Sequence, residues 1–324
     1  MTKVGLAALL VCVAGCSDGS SGGSPGSGGS GTGGSGTGGS GTGGSGTGGS
    51  STGGSGGATS GWTTLIEGDW TLPSGEEDYL CVLKTLTEDV HVSAFRPLLP
   101  PGTHHTVLTL ETNPTEPDGS FACDAGTNGP HMIYGSGLGT GEFTFPSGIA
   151  VPLKAGQQLV LNLHLFNVNQ SSLSGTSGIE VTTTSQDQVV HEAQVTLAGK
   201  QEGLVAEPGT TTQYGICTLE DPTTIFAVLP HMHQLGAHLK ATATPSGGSP
   251  ITLLDVDYSF DDQQYFPVTP EAALAAGDVI NVDCTYDNPK SSPVYYGDSS
   301  NDEMCFAAIY EYPARNRTSY YCTE

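Results

Sequence analysis

Four short stretches of this chain concentrate side chains that bind soft or borderline metal ions. They are THHTVL with His104 and His105, LVLNLHLFN with His164, LPHMHQLG with His231 and His233, and SNDEMC with Met304. Imidazole suits copper in either oxidation state, and a thioether is a soft ligand that favours Cu(I). The spacing decides whether such groups can meet. In an extended chain His231 and His233 share one face while Met232 points the opposite way. Pro230 favours that extended conformation at Leu229. His104 and His105 are neighbours, so a regular strand sends them to opposite faces. Meeting at one ion requires a bend or a strand end, and the PPGT just before them provides for one. His164 shares a mixed face with Asn162, whereas Leu159, Leu161, Leu163 and Leu165 line the other, which is predicted to be core. In a strand Met304 and Cys305 face oppositely, which leaves the cysteine for a disulfide and the thioether for a different environment.

Strands are what must position these groups. VHVSAF (90–95), TVLTLET (106–112), QLVLNLHLFN (158–167), IEVTTT (179–184), EAQVTLA (192–198), TTIFAVL (223–229), HLKATAT (238–244) and DVINVDCTY (278–286) are β-rich and often alternate. Turn clusters such as PLLPPGT, NPTEPDG and YDNPKSSP separate them. Only PEAALAAG (270–277) has helical character. Many short strands with turns between them predict an all-β chain of sandwiches or barrels. The polar SQDQVVH (185–191) is the expected joint between two of them.

The N-terminal part reads differently. Residues 1–16 carry Lys3, an apolar run too short to span a bilayer, and Val13-Ala14-Gly15-Cys16, which looks like a bacterial lipobox with Cys16 as the lipidated residue. Residues 17–60 are nearly all Gly, Ser and Thr with a recurring GSGTG unit, which predicts a disordered tether reaching about 35–40 Å. The chain is therefore expected to be an exported envelope lipoprotein, touching membrane only through its anchor. Nine Lys and Arg against 33 Asp and Glu give a formal charge of −24, which excludes nucleic acid as a partner because phosphate binding needs a basic face. Beyond Cys12 and Cys16 there are six cysteines, 81, 123, 217, 284, 305 and 322, none in CxxC spacing. In an exported body they predict three disulfides with 15 pairings open.

Taken together, YLC (79–81), HH (104–105), LNLHLFN (161–167), HMHQLG (231–236) and SNDEMC (300–305) resemble, in order and spacing, the copper type II ascorbate-dependent monooxygenases. That family includes the peptide-amidating and dopamine-hydroxylating enzymes, and the resemblance covers roughly residues 75–324. It implies two tandem antiparallel jelly-roll β-sandwich domains, 61–187 and 188–324. One copper on His104, His105 and His164 would transfer electrons, and a second on His231, His233 and Met304 would meet O2. It also implies the disulfides Cys81–Cys123, Cys217–Cys322 and Cys284–Cys305. The implied activity is hydroxylation of a C–H bond in a small or apolar substrate with O2 and ascorbate or another one-electron reductant, by a monomer. Peptide-amidating members carry an Arg two residues before the first histidine of the pair, and an Asn and a Tyr just after the methionine-cysteine, to hold the substrate carboxylate. Here Leu229, Phe306 and Ala308 stand there, so glycine-extended peptides are not the expected substrate.

The alternative is a non-catalytic lipoprotein of the same fold that binds copper or another ligand. A cupredoxin-like carrier fits poorly, because its site needs a cysteine ligand, and a serine hydrolase lacks a nucleophile elbow. His91, His131, His191 and His238 are expected to be surface or structural. Asp302 and Glu303 are expected to face solvent, to orient their loop or to support the metal ligands from behind, and Tyr79 and Asn162 to border the first site.

Overall fold

The computed structural model describes residues 61–315 and 319–323. The leader, Cys16 and the tether lie outside the described residues. Those described are all-β apart from one 3-10 turn, Gln186–Gln188, and fall within one compact unit. Among them no helix is long and apolar enough to cross a membrane.

The sheets divide by chain position into two β-sandwiches. In the first half, one sheet runs Thr63–Leu72, Leu173–Thr183, Val90–Leu98, Ile149–Leu153, His191–Glu192, with Phe143–Thr144 beside Val90–Leu98. The facing sheet runs Gly119–Ala122, Glu77–Thr85, Gln158–Phe166, Thr103–Glu111, His131–Gly137. In the second half, a five-stranded sheet (Phe266–Leu274, Thr223–His231, Cys305–Tyr312, Gln194–Lys200, Tyr321–Thr323) faces a four-stranded one (Gly209–Thr218, Val279–Asn288, Gly236–Thr244, Ile251–Asp257). Pairing is antiparallel except at two short strands, His191–Glu192 and Tyr321–Thr323. The chain stays with the first half until Glu192, where it pairs with Ile149–Leu153, and then enters the second half at Gln194.

Residues 270–277 do not turn into a helix. They lie largely in the strand Phe266–Leu274, paired with Thr223–His231, with Val268, Ala272 and Leu274 buried at even spacing. Two helical turns are too short to form against that pairing. Pro270 is tolerated because this strand is the sheet edge.

The apolar run CFAAIY is buried on both sides for a reason that alternation explains. Cys305, Ala307 and Ile309 face the second half's own core. Phe306, Ala308 and Tyr310 face a core shared with the first half, where they join Phe143, Phe145 and Phe226. Hydrogen bonds fix this seam: Tyr310 Oη donates to the Ile133 carbonyl (3.1 Å), and Tyr265 Oη to that of Gly135 (2.5 Å). Disulfides join Cys81 to Cys123, Cys217 to Cys322 and Cys284 to Cys305. Three such bonds belong to an oxidising, extracytoplasmic compartment.

Candidate metal centre

The neighbours His104 and His105 come to one side through a bulge. Thr103 pairs with Leu165 and His105 with His164, so the ladder slips by one residue at His104. One ring nitrogen from each of His104, His105 and His164 then lies within 4.8 Å of the others. His105 Nδ1 is 3.2 Å from both His104 Nδ1 and His164 Nδ1. Burial holds all three rings below the ordinary histidine range, and their mutual repulsion lowers His104 and His105 further; His104 falls to about 4. Three imidazoles kept neutral by burial, with one nitrogen of each brought close to the others, are the state a metal needs from its ligands.

Two further groups orient this trio. His164 Nε2 is 2.6 Å from Glu77 Oε1, so the ring donates to the carboxylate and keeps Nδ1 for the cluster. Tyr79 stacks on the His164 ring, centroids 4.6 Å apart and planes within 7°. Asn162 does not border the site: its amide donates to the carbonyls of Asp124 (2.9 Å) and Thr127 (3.2 Å), and so ties the loop after Cys123 to the sheet.

His231 closes the strand Thr223–His231, and His233 follows in the turn. Their rings lie 5.3 Å apart. His231 Nδ1 donates to Gln263 Oε1 (3.3 Å) and His233 Nδ1 to the Asp302 carbonyl (3.2 Å), so each ring presents Nε2 as its open donor atom. Burial depresses both rings, His233 to about 3. Met232, fully buried, points the other way into the second half's core, and its carbonyl accepts from Tyr258 Oη (2.5 Å).

Glu303 does not face solvent. It is 0 % exposed, and its two oxygens accept from the backbone N–H of His233 (3.0 Å) and Leu235 (2.7 Å). Burial pushes its carboxyl up to about 7, against the pull of those N–H groups. The carboxylate thus ties the histidine turn to the segment that carries Met304. Met304 itself is half-buried, and its carbonyl accepts from Tyr286 Oη (2.8 Å). Its neighbour Cys305 lies in the opposite core, bonded to Cys284.

These groups share a cavity of about 110 Å³. His231, His233 and Met304 line it together with His105 of the trio, and Leu229, Phe306 and Ala308 contribute apolar wall. His104 and His164 instead line a larger hollow of about 650 Å³ on the other side. Between the two sets stands Phe260, its ring 4.4 Å from that of His104 and 6.2 Å from that of His233. The loop carrying Phe260 and Gln263 docks on the first half, where Gln263 N donates to the Leu138 carbonyl (3.0 Å) and Thr140 Oγ1 to the Gln263 carbonyl (2.6 Å). None of His91, His131, His191 or His238 joins either set; His238 sits between Asp257 (3.0 Å) and Asp255 (2.9 Å), and His191 stacks on Tyr312.

Residues 191–324 match the model of the copper type II ascorbate-dependent monooxygenase C-terminal domain. Three curated proteins are similar to the chain over a longer stretch. The chain is 28 % identical over 262 residues to peptidyl-glycine alpha-amidating monooxygenase A of Xenopus laevis, covering 76 % of this chain and 28 % of that protein. It is 25 % identical over 279 residues to the putative DBH-like monooxygenase protein 2 of Homo sapiens, covering 76 % and 56 %. It is 23 % identical over 282 residues to a tyramine beta-hydroxylase of Caenorhabditis briggsae, covering 75 % and 47 %. The matched segment thus spans between about a quarter and rather more than half of these relatives.

Proposed function

We propose that the whole chain is a copper-dependent monooxygenase that hydroxylates a C–H bond of a small or apolar substrate with O2 and a one-electron reductant. In this reading His104, His105 and His164 hold one copper, and His231, His233 and Met304 hold the other. The observation that carries it is the converging histidine trio, one member of which, His105, lines the cavity that also holds the paired histidines and the thioether. Copper in these two sites would supply the electrons and the O2 activation. The protein's own work is to hold the rings neutral, to fix their tautomers through Glu77, Gln263 and Asp302, and to present substrate beside Met304. One oxygen atom would enter the product and the other would leave as water.

The second reading, a non-catalytic copper-binding protein of the same fold, differs in one measurable respect. Metal analysis of the purified chain is expected to find about two coppers, falling to about one in the His104→Ala/His105→Ala variant and likewise in His231→Ala/His233→Ala. Ascorbate-dependent O2 consumption coupled to a hydroxylated product would then establish the enzyme. Full copper loading with no coupled oxidation across a broad panel of substrates would favour the binding protein.

Substrate chemistry follows from the cavity wall. Leu229, Phe306 and Ala308 offer no charged partner to a carboxylate, and Asp298, also on the lining, repels one. Glycine-extended peptides are expected to be turned over far more slowly than neutral or aromatic substrates, by about 100-fold or more. Comparable kcat/KM for the two classes would overturn that assignment. Cys16 and the Gly/Ser/Thr stretch complete the proposal: the enzyme is lipid-anchored in the bacterial envelope, and labelling with a radioactive fatty acid, lost in Cys16→Ser, tests the anchor.

A further inference from the structure

The cavity beside Met304 is small for a substrate. Its volume of about 110 Å³ is below the roughly 150 Å³ in which an engineered apolar cavity holds one benzene, and ligand sites commonly measure about 300–1,000 Å³. A second cavity, of about 290 Å³, lies next to it along the seam between the two halves. Alternation along one strand relates the two. Ala193, Val195 and Leu197 share a face; Ala193 and Val195 line the second cavity, and Leu197 lines the first. The step from Val195 to Leu197 is about 7 Å. Met132 and Tyr320 line both cavities and so stand between them. Tyr320 is set there by its carbonyl, which accepts from the Leu197 N–H (2.7 Å). Met132 carries a flexible thioether chain that can turn aside while the sheets stay in place. The wall of the second cavity is apolar at Leu110, Ile133 and Val151, and it also carries polar groups of both signs, Lys154 and Glu192.

We propose that the second cavity is the other half of the substrate site, and that the substrate is an elongated, mostly apolar molecule with an uncharged polar end. This rests on the monooxygenase reading above and names its substrate class. The reacting carbon lies beside Met304, the chain passes between Met132 and Tyr320, and the far end lies over Ala193 and Val195. Together the two cavities offer about 400 Å³, an ordinary ligand volume. Burial of the tail supplies affinity that the first cavity is too small to give, about fourfold for each methylene group taken out of water. A lysine and a glutamate on the same wall suit an end group that forms hydrogen bonds without carrying net charge.

The test uses the full, metal-free chain with straight-chain alcohols, 1-butanol and 1-octanol, as probes in NMR titrations. Both are expected to shift the amides of Leu229 and Ala308, and only the longer one those of Ala193, Val195 and Val151. From butanol to octanol the affinity should rise on the order of 100-fold. Ala193→Leu, which projects into the second cavity, should raise the Kd of octanol by about tenfold or more and leave that of butanol within about twofold. Unchanged butanol binding shows that the variant is folded, and the chain-length series and shift map on wild type need no variant at all. Octanol shifts confined to the first cavity, an affinity that stops rising beyond butanol, or an Ala193→Leu variant that binds octanol like wild type would each overturn the proposal. Because binding is read on metal-free protein, its failure is distinct from a failure to bind copper or to consume O2.

Discussion

Glu303→Ala is expected to be among the most damaging single substitutions in this protein. The alanine leaves the N–H groups of His233 and Leu235 without their acceptors in a buried turn. Each orphaned donor costs about 1–3 kcal/mol, so the loss is about 2–6 kcal/mol against a total stability of about 5–15 kcal/mol. Glu303→Gln keeps the shape and one carbonyl oxygen, and should fall between wild type and alanine. The function suffers with the turn, because His233 owes its position to that carboxylate. Urea unfolding and copper analysis check both parts: the expected outcome is a lowered midpoint together with loss of metal from the second site only. An unfolding midpoint like that of wild type would mean that the turn is held by something else.

The second large effect is catalytic. Met304→Ala is expected to lower the rate of coupled O2 consumption by about 100-fold or more, since loss of even an outer-shell partner of a metal site typically costs 10–100-fold. The fold should survive. Met304 is half-buried, its backbone carbonyl still accepts from Tyr286, and the Cys284–Cys305 bond next to it is untouched. Copper at the histidine trio should remain, readable by its EPR signal, while Cu(I) at the other site weakens because a soft donor is gone. An alanine variant that turns over at the wild-type rate would remove the thioether from the chemistry and leave the two histidines to act alone.

Much of this site was legible in the sequence, because its groups follow the two-residue period of a strand. His231 and His233 on one side with Met232 on the other, and Met304 opposed to Cys305, are consequences of that period, and both pairs of environments differ as it requires. The adjacency of His104 and His105 was legible only as a demand for a break in the strand, and the slip between Thr103 and His105 meets it. Other partners left no local signal. Glu303 reads like any acidic residue in a polar loop, and only the folded turn brings two backbone N–H groups to it. Gln263 and Phe260 come from a loop about thirty residues away from the histidine pair, and nothing in FDDQQY (260–265) marks them. Asn162 has the right face for the first site but finds better partners in the carbonyls of the loop after Cys123. The helical reading of PEAALAAG failed because local propensity over so short a run yields to strand pairing at a sheet edge.

Strand Cys305–Tyr312 belongs to two cores at once, and this limits how the pocket beside it can open. To swing one sandwich away from the other, Phe306, Ala308 and Tyr310 would have to be pulled out of shared packing and two tyrosine hydrogen bonds broken. On the proposed reading, room for a substrate has to come from side chains lining the pocket, Tyr320, Tyr321 and Asp298 among them, and not from parting the sheets. A pocket so held is expected to sort molecules by girth before any bonding group can inspect them, so bulk near the reacting carbon should exclude a compound even where its polarity is right.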